Sequence, residues 1–505
     1  MLEDDQAITG SERAQLKRSA ALGAVQTMSA RYYTMAVGMA YAIVMARILS
    51  PEDFGLMALA VFFLTFSARL REFSLNEVLI QKQASEGEVC STHWTMQLAL
   101  GVLQVVLVLA ALPILSGLYP EARVGNATLT GILVALLAGD LVTIATSTPF
   151  TVLRKTMRFR HLAVLEAVGA TLGAGSGTVL ALMGFGIWGL VVGRVAPAIL
   201  RFAYCWALHP WKLSFRFDRR VAVSFLKFGL YLWLIQTTIF ITFSVGDLLV
   251  GSLVGLAALG IYSKAFHLAV MPVEMLTGVL STVTYPVYCR LQNSREDVGK
   301  ALARVLSVIF RLTVPIAVGM VLAGSEFIEI VLGEKWLPAA PLLKVMALYT
   351  VLRSVFDDTG RVFLALGKPH IPAMLRLVQS VLQIGVCYLL VANLGALGAS
   401  LSTDLAVLVG LVLNYFFLYR LIRIPFRRIF LQPALCGAAT LLCVMALAQA
   451  LGPVNVYAAF FMKGTLCVII YFGLLFAFGR HELIGEFVML KTAITRRPET
   501  AGGSE

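Results

Sequence analysis

The chain has 505 residues, of which 59% are hydrophobic and only 14% are charged, and its formal net charge is +13. Soluble globular domains carry about 25% charged residues, so a chain this poor in charge cannot form a water-soluble surface, and that class is excluded. Apolar stretches of about 20 residues, the length that crosses a bilayer as a helix, recur along the sequence and predict a polytopic membrane protein.

The first 19 residues are rich in charge and lack the apolar core and small-residue cleavage site of a signal peptide. We interpret 1–19 as a cytoplasmic leader, followed by about 14 membrane spans identified by hydropathy. They are 20–47, 54–80, 94–115, 127–149, 162–183, 187–208, 229–251, 259–288, 302–323, 338–360, 371–392, 396–419, 430–451 and 456–479. Each is expected to be helical, because lipid offers no partner for backbone polar groups.

Lysine and arginine residues are concentrated on one side of these spans. Of the 41 basic residues, 27 lie in the leader, in the loops after even-numbered spans (with Arg304 counted at a span border) and in the tail, only Arg47, at a span end, Arg123 and Lys335 lie on the other side, and 11 lie inside spans. The positive-inside rule then places both termini in the cytoplasm. Because topology accounts for the basic charge, we exclude nucleic acid as a partner.

No motif for catalysis occurs in the sequence. GxxxxGK[ST], HExxH, CxxC and GxSxG are all absent, and the longest loop on the outer side is only Gly324–Leu337. We therefore expect no enzymatic activity, no cofactor and no metal site. A polymerase or ligase would need a catalytic loop on the outer side, and the short outer loops argue against one. Because the phosphate-binding motif is absent, any transport would be driven by an ion gradient, the membrane potential or the substrate gradient.

Two loops recur at a nearly constant offset. Ile48–Ala60 aligns with Leu253–Ala265 at an offset of 205, and Gly186–Gly189 aligns with Gly395–Gly398 at 209. Chance is the competing explanation, but the matches favour a six-helix unit present twice. The expected fold is all-α, with an N-lobe (20–208), a basic cytoplasmic linker (209–228), a C-lobe (229–419), a terminal helix pair (430–479) and a cytoplasmic tail (480–505).

Several motifs carry a resemblance to a known family. The run Ala46–Ala58 (ARILSPEDFGLMA) resembles the signature of the polysaccharide transporter (Wzx-type oligosaccharide flippase) family, within the multidrug/oligosaccharidyl-lipid/polysaccharide exporter superfamily. Further matches are Arg71–Leu75, Leu79–Gln81, Asp247, Gly255, Ala258–Ser263, Gly333–Trp336 and Leu366–Pro369. Ser74 departs from the pattern, which has glycine there and a kink in the second span.

The resemblance implies two six-helix lobes around a central cavity that opens alternately to each side. It also implies a flippase for undecaprenyl-diphosphate-linked oligosaccharide, moved from the cytoplasmic to the periplasmic leaflet of the bacterial inner membrane. The implied partners are this lipid-linked oligosaccharide, membrane lipids, and polysaccharide polymerase and chain-length machinery. An ion-coupled multidrug or small-molecule antiporter of the same superfamily is the alternative function.

Basic residues inside the spans are candidates for substrate binding. Buried ionisable groups in a membrane usually face a cavity or a partner, and arginine can hold a diphosphate with two hydrogen bonds. We predict that Arg31, Arg194, Arg201 and Arg376 line the cavity. Arg31 lies ~17 Å into its span, near the midplane. Arg194 and Arg201 share one face of the sixth span, although Arg201 could instead extend to the cytoplasmic surface.

The remaining charged residues are candidates for ion coupling or gating. Asp247 and Lys264 flank the turn between spans 7 and 8 at a shared depth of roughly 9 Å, which allows an ion pair, either structural or broken during transport. Glu274 is a candidate proton carrier, and Asp140 and Glu166 are candidate partners of the two arginines of span 6. Ion pairs within one helix are expected for Arg69–Glu72 and Arg353–Asp357, from their spacing of three and four residues.

Overall fold

The computed structural model describes residues 10–73, 75–81, 86–120, 122–208, 217–422, 424–425, 427–452 and 454–495, and they are almost entirely helical. The helices are α1 (Gly10–Ile48), α2 (Pro51–Arg71), α3 (Leu75–Gln81), α4 (Glu86–Leu118), α5 (Leu129–Lys155), α6 (Phe159–Leu180), α7 (Trp188–Leu208), α8 (Arg219–Leu253), α9 (Leu256–Leu291), α10 (Arg295–Val331), α11 (Ala339–Ala365), α12 (His370–Leu394), α13 (Ala396–Tyr419), α14 (Gln432–Leu451) and α15 (Val456–Thr495). Short π-helical turns lie at Ala181–Phe185 and Arg427–Leu431, a 3₁₀ turn lies at Glu334–Trp336, and a two-stranded antiparallel hairpin pairs β1 (Arg123–Val124) with β2 (Ala127–Thr128).

Every predicted span except the second falls on one helix, and the all-α polytopic fold is confirmed. Among the described residues, thirteen segments are long and apolar enough to cross a membrane; α1, which contains the first predicted span, is not one of them. The second predicted span was wrong as a single helix, because α2 ends at Arg71 and α3 starts at Leu75. The predicted kink position, Ser74, lies outside the described residues, as does 209–216 of the predicted linker.

Local sequence explains where α2 begins. Ser50 accepts a hydrogen bond from the Asp53 amide (3.3 Å), and the Asp53 carboxylate accepts one from the Ser50 amide (2.9 Å). This reciprocal capping box satisfies amides that the first turn leaves open, and Pro51, which has no amide hydrogen to satisfy, occupies the first turn. This part of the Ala46–Ala58 run is therefore also a helix-start signal.

The chain forms two compact units. One comprises the chain up to Lys264 together with Ser380–Ala399, and the other comprises Ala265–Gln379 together with the chain from Ser400 onward. In the first unit, glycines of α6 pack against α7: a side chain at Gly173 would overlap the Gly193 carbonyl, and one at Gly177 would overlap the Gly189 carbonyl. Tyr41 of α1 donates a hydrogen bond to the same Gly189 carbonyl (3.0 Å). Small residues thus bring three helices close together, as is common in membranes.

In the second unit, α10 packs against α11, α14 and α15. The last two helices are the predicted terminal pair. Lys463 of α15 forms an ion pair with Glu326 of α10. Apolar side chains of the three helices form two buried clusters around Val314 and Leu322 of α10. The terminal pair is therefore held to α10 by both packing and charge.

The repeated loops have matching conformations. Gly186 and Gly395 both have positive φ angles, of 57° and 60°. The Gly189 amide donates to the Gly186 carbonyl at 3.0 Å, and the Gly398 amide donates to the Gly395 carbonyl at the same distance. These agreements support the predicted repeat, while the lobe boundaries derived from it stay a prediction.

Candidate functional site

The three arginines predicted to line the cavity in the first unit differ in their surroundings. Arg31 of α1 and Arg194 of α7 have exposed side chains, whereas Arg201 is half-buried and its guanidinium lies 4.9 Å from the centre of the Phe150 ring. Within the described part of the chain, none of the three forms an ion pair. The guanidinium groups of Arg31 and Arg194 therefore lie inside predicted spans with exposed surface that a ligand can contact.

A buried polar network in the same unit contains Asp140, a predicted coupling candidate, together with an arginine and two glutamines that were not predicted as site residues. Arg71, at the end of α2, is only 7% exposed. Its Nε donates to Oε1 of Gln104 (2.6 Å), and its Nη1 donates to Oε1 of Gln97 (3.2 Å). Its Nη2 lies 3.6 Å from Oδ2 of Asp140. The two glutamines, seven residues apart in a stretch of α4 that is otherwise apolar between them, were the sequence signal for this network, because that spacing places both on one helix face.

Asp140 is the acidic centre of this network. Its Oδ2 also accepts a hydrogen bond from Nε2 of Gln104 (3.0 Å), which in turn donates to Ser67 (3.1 Å). Asp140 also attracts Arg194 electrostatically, although the two residues form no ion pair. The expected pairing of Asp140 with span 6 is thus replaced by an ion pair with Arg71. The reason is packing, since α5 contacts α2 and α4 as well as α7.

The remaining acidic candidates have no such network. Among the described residues, Glu166 (half-buried, on α6) and Glu274 (exposed, on α9) have no hydrogen bond or ion pair. The pairing of Glu166 with the arginines of α7 therefore does not form. Glu274 keeps an open carboxylate, as a proton carrier would need.

Asp247 and Lys264 do not form an ion pair in the described part of the chain. Nζ of Lys264 instead lies 3.7 Å from the centre of the Phe54 ring, a cation–π contact. The reason is helix rotation: α8 and α9 face each other through Gly246 and Tyr262, so close that a side chain at Gly246 would overlap the tyrosine hydroxyl. Successive helical residues are rotated by about 100°. Asp247 follows Gly246 by one residue on α8, and Lys264 follows Tyr262 by two residues on α9, so both are rotated away from this contact. A shared depth along two helices does not by itself fix the direction of a side chain.

In the second unit, Arg376 belongs to a group of half-buried charges. Its Nη2 lies 3.1 Å from Oδ1 of Asp357, and its guanidinium lies 4.5 Å from the centre of the Phe356 ring. The predicted pair Arg353–Asp357 is confirmed, with Nε 2.7 Å from Oδ2, and Arg353 also donates to the Tyr349 hydroxyl (2.9 Å). Two arginines thus share one carboxylate, which leaves this cluster with one net positive charge.

The same helix carries a fully buried carboxylate that the sequence did not indicate. Asp358 is 0% exposed. Its Oδ2 accepts a hydrogen bond from the Tyr288 hydroxyl (2.7 Å), and its Oδ1 accepts one from Thr284 (3.2 Å) and lies 3.1 Å from Nη1 of Arg361. Asp358 thus connects the C-terminal part of α9 to α11. The signal that could have indicated it is Thr284 and Tyr288, four residues apart on α9.

The ends of α2 and α9 meet through glycine. A side chain at Gly55 would overlap the carbonyl of Leu256, the first residue of α9, and one at Gly260 would overlap the carbonyl of Pro51, the first residue of α2. Gly55 aligns with Gly260, and Pro51 aligns with Leu256, at the offset of 205 that relates the two loops. The crossing is therefore symmetric, with each helix presenting a glycine to the first turn of the other.

Comparison with known proteins agrees with this architecture. A family model described as polysaccharide biosynthesis protein matches residues 44–341. The teichuronic acid biosynthesis protein TuaB of Bacillus subtilis is 25% identical over 60% of this chain and 62% of its own. The succinoglycan biosynthesis transport protein ExoT of Rhizobium meliloti is 27% identical over 60% of this chain and 61% of its own. The lipopolysaccharide biosynthesis protein WzxC of Escherichia coli is 23% identical over 79% and 81%. This chain thus spans less than two thirds of TuaB and of ExoT.

Solved structures share the fold. The lipid II flippase MurJ, in an inward closed conformation, has a TM-score of 0.68 and 16% identity, covering 91% of this chain and 100% of that chain. An inward-facing multidrug resistance MATE family transporter of the MOP superfamily has a TM-score of 0.60 and 16% identity, covering 77% and 95%. With the family model matching more than half of its length, the chain belongs to the polysaccharide biosynthesis protein family, and it is a polytopic membrane protein of the polysaccharide transporter group.

Proposed function

We propose that this protein is a flippase that moves undecaprenyl-diphosphate-linked oligosaccharide from the cytoplasmic to the outer leaflet, for the export of a polysaccharide. The observation that carries the proposal is the pair of exposed guanidinium groups of Arg31 and Arg194, which lie inside predicted spans without an ion pair in the described part of the chain. A charge in that position is costly unless a cavity or an anionic ligand compensates it. A diphosphate is such a ligand.

Family membership supports the class of substrate. TuaB, ExoT and WzxC are named for the biosynthesis or transport of teichuronic acid, succinoglycan and lipopolysaccharide, and MurJ is named a lipid II flippase. The cationic balance inside the spans favours an anionic substrate over the cationic compounds of a multidrug antiporter. Polysaccharide polymerase and chain-length machinery are the proposed partners, since they would use the flipped product.

Transport is proposed to follow alternating access, with the α2–α9 crossing as the outer gate. The loops before these helices lie on the outer side in the orientation given by the positive-inside rule, with both termini in the cytoplasm. Backbones in contact at Gly55 and Gly260 leave no room for a substrate between them. Opening to the outside would require these two helix ends to separate.

Energy coupling is proposed to use Asp247 and Glu274 rather than Asp140. Asp140 is bonded to Arg71 and Gln104, so its protonation would disrupt a buried network. Asp247 and Glu274 form no hydrogen bond or ion pair among the described residues, so either carboxyl can exchange a proton or cation without breaking one.

Deletion of the gene tests the proposal. The host should then lose one surface polysaccharide and accumulate its lipid-linked precursor on the cytoplasmic side. Normal export together with altered drug resistance would instead favour the antiporter. Complementation with wild-type protein is the control.

A further inference from the structure

A groove with a volume of about 540 Å³ lies at the start of α10, in the second unit. One wall is formed by the first three turns of α10 and the other by the segment that follows α13. None of the residues assigned to substrate binding or coupling lines it. The lining residues are Arg295, Glu296, Gly299, Lys300, Ala303, Arg304, Leu421, Ile422 and Pro425.

The α10 wall is cationic. Its residues fall on two adjacent rows of the helix surface, each with a spacing of four, so they form one continuous face. Arg295, Lys300 and Arg304 are all exposed. Lys300 lies 2.7 Å from the Glu296 carboxylate. Three positive charges against one negative charge leave this wall with a net charge of +2.

The floor and the opposite wall are apolar. Gly299 and Ala303 lie in the row of Arg295 and, being small, leave depth between the long basic side chains. Leu421, Ile422 and Pro425 face them across the groove, and Ile422 is anchored in a buried cluster that also contains Leu302 and Leu306. An apolar wall opposite a cationic wall suits a ligand that is anionic at one end and apolar at the other.

The position of the groove identifies such a ligand. In the predicted orientation, the start of α10 lies at the cytoplasmic boundary of the membrane, where anionic lipids are attracted to basic residues and bind in basic pockets between helices. Arginine can hold a phosphate with two hydrogen bonds. The partial positive charge of the α10 N-terminus, which begins after Ser294, acts in the same direction.

We propose that this groove binds the phosphate headgroup of an anionic phospholipid, with cardiolipin as its preferred form because its two phosphates match several cations along one helix face. The headgroup lies along Arg295, Lys300 and Arg304, and an acyl chain lies against Leu421 and Ile422. The site is separate from the proposed flippase site and does not depend on the glycan carried.

The test uses the full-length protein in nanodiscs of phosphatidylcholine containing cardiolipin, with retained lipid measured by mass spectrometry after washing. The variant Arg295→Gln/Lys300→Gln/Arg304→Gln removes the cationic wall. The variant Arg160→Gln/Arg219→Gln/Arg220→Gln removes the same charge from exposed residues elsewhere on the predicted cytoplasmic side. At ~1 kcal/mol per basic residue, the loss of three basic residues should weaken cardiolipin retention by about a hundredfold relative to wild type. The second should bind as wild type does.

Equal retention by the wild type and the groove variant would overturn the proposal, as would an equal loss in the control variant. Soluble glycerol phosphate competing as well as cardiolipin would also overturn it, since the site would then be a simple anion site. Displacement by undecaprenyl phosphate at lower concentration would assign the groove to the transport substrate instead. Should the triple variant fail to fold, Arg304→Gln alone should still lower retention.

Discussion

Gly55 and Gly260 each lie against the first carbonyl of the helix that carries the other. The two glycines are equivalent positions in the predicted repeat. The same contact, a glycine against the first carbonyl of the other helix, therefore occurs twice. Small residues are the usual means of close helix approach in membranes, and here they bring backbone against backbone. This crossing links the repeat seen in the sequence to the proposed outer gate.

We expect Gly55→Ala or Gly260→Ala to abolish polysaccharide export, because even one added methyl group would force the crossing apart. Export is measured by complementation of a deletion strain, with protein amount checked by immunoblot. Gly38→Ala is the matched control, since nothing lies within 4 Å of a side chain added there. Wild-type export in both variants would show that the contact has no role in transport.

Neutral substitutions at the open arginines test the cationic cavity. Arg31→Gln and Arg194→Gln should each abolish export while the protein stays folded, because the diphosphate would lose a charged partner and the protein would lose no ion pair. Arg123→Gln, in the exposed β-hairpin, is the control. Full export by both variants would contradict the cavity assignment.

The Arg71 network should contribute to stability rather than to binding. Arg71→Ala removes a buried cation and leaves the half-buried Asp140 without its ion-pair partner, so the free energy of unfolding should fall by about 3–5 kcal/mol. The nearby pair Arg69–Glu72 is confirmed at 3.1 Å but is 34% and 42% exposed, so Arg69→Ala should cost under about 1 kcal/mol. Thermal unfolding in detergent compares the two. Equal midpoints would refute the structural role of Arg71.

The buried carboxylate of Asp358 gives a second stability prediction. Tyr288→Phe removes a hydrogen bond to a fully buried charge and should destabilise the protein by about 1.5–3 kcal/mol. Tyr388→Phe is the control, because that side chain is 54% exposed. The same unfolding assay applies, and no difference between the two variants would count against the bond.

The orientation is tested by reporter fusions after residue 480. Because 27 of the 41 basic residues lie on the side assigned to the cytoplasm, a fused alkaline phosphatase should be inactive and a fused fluorescent protein active. Active phosphatase at this position would reverse the topology, and the proposed outer gate would then lie on the inner side.

The sequence was sufficient for most of the fold. Span length and hydropathy are set by the bilayer, so every predicted span except the second falls on one helix. The loop glycines indicated the repeat because Gly186 and Gly395 adopt positive φ angles that glycine, which has no side chain, adopts easily. Pairs three or four residues apart, such as Arg353–Asp357, were predictable because helix geometry alone brings them together.

Contacts between helices were not predictable in the same way. The partners of Arg71 are 26 and 33 residues away, and those of Asp358 are 70 and 74 residues away, so they depend on which helix faces meet. Asp247 and Lys264 show the converse case, since they were expected at a shared depth but helix rotation directs their side chains apart.

The most direct test is the sidedness of the lipid-linked oligosaccharide in membrane vesicles made from cells with wild-type protein or with Arg31→Gln/Arg194→Gln. A periplasm-side probe, such as a membrane-impermeant glycosidase, should cleave the glycan in wild-type vesicles. With the double variant, the glycan should stay protected on the cytoplasmic side while the protein is present at normal amounts. Equal cleavage in the two preparations would contradict the account of a cationic flippase.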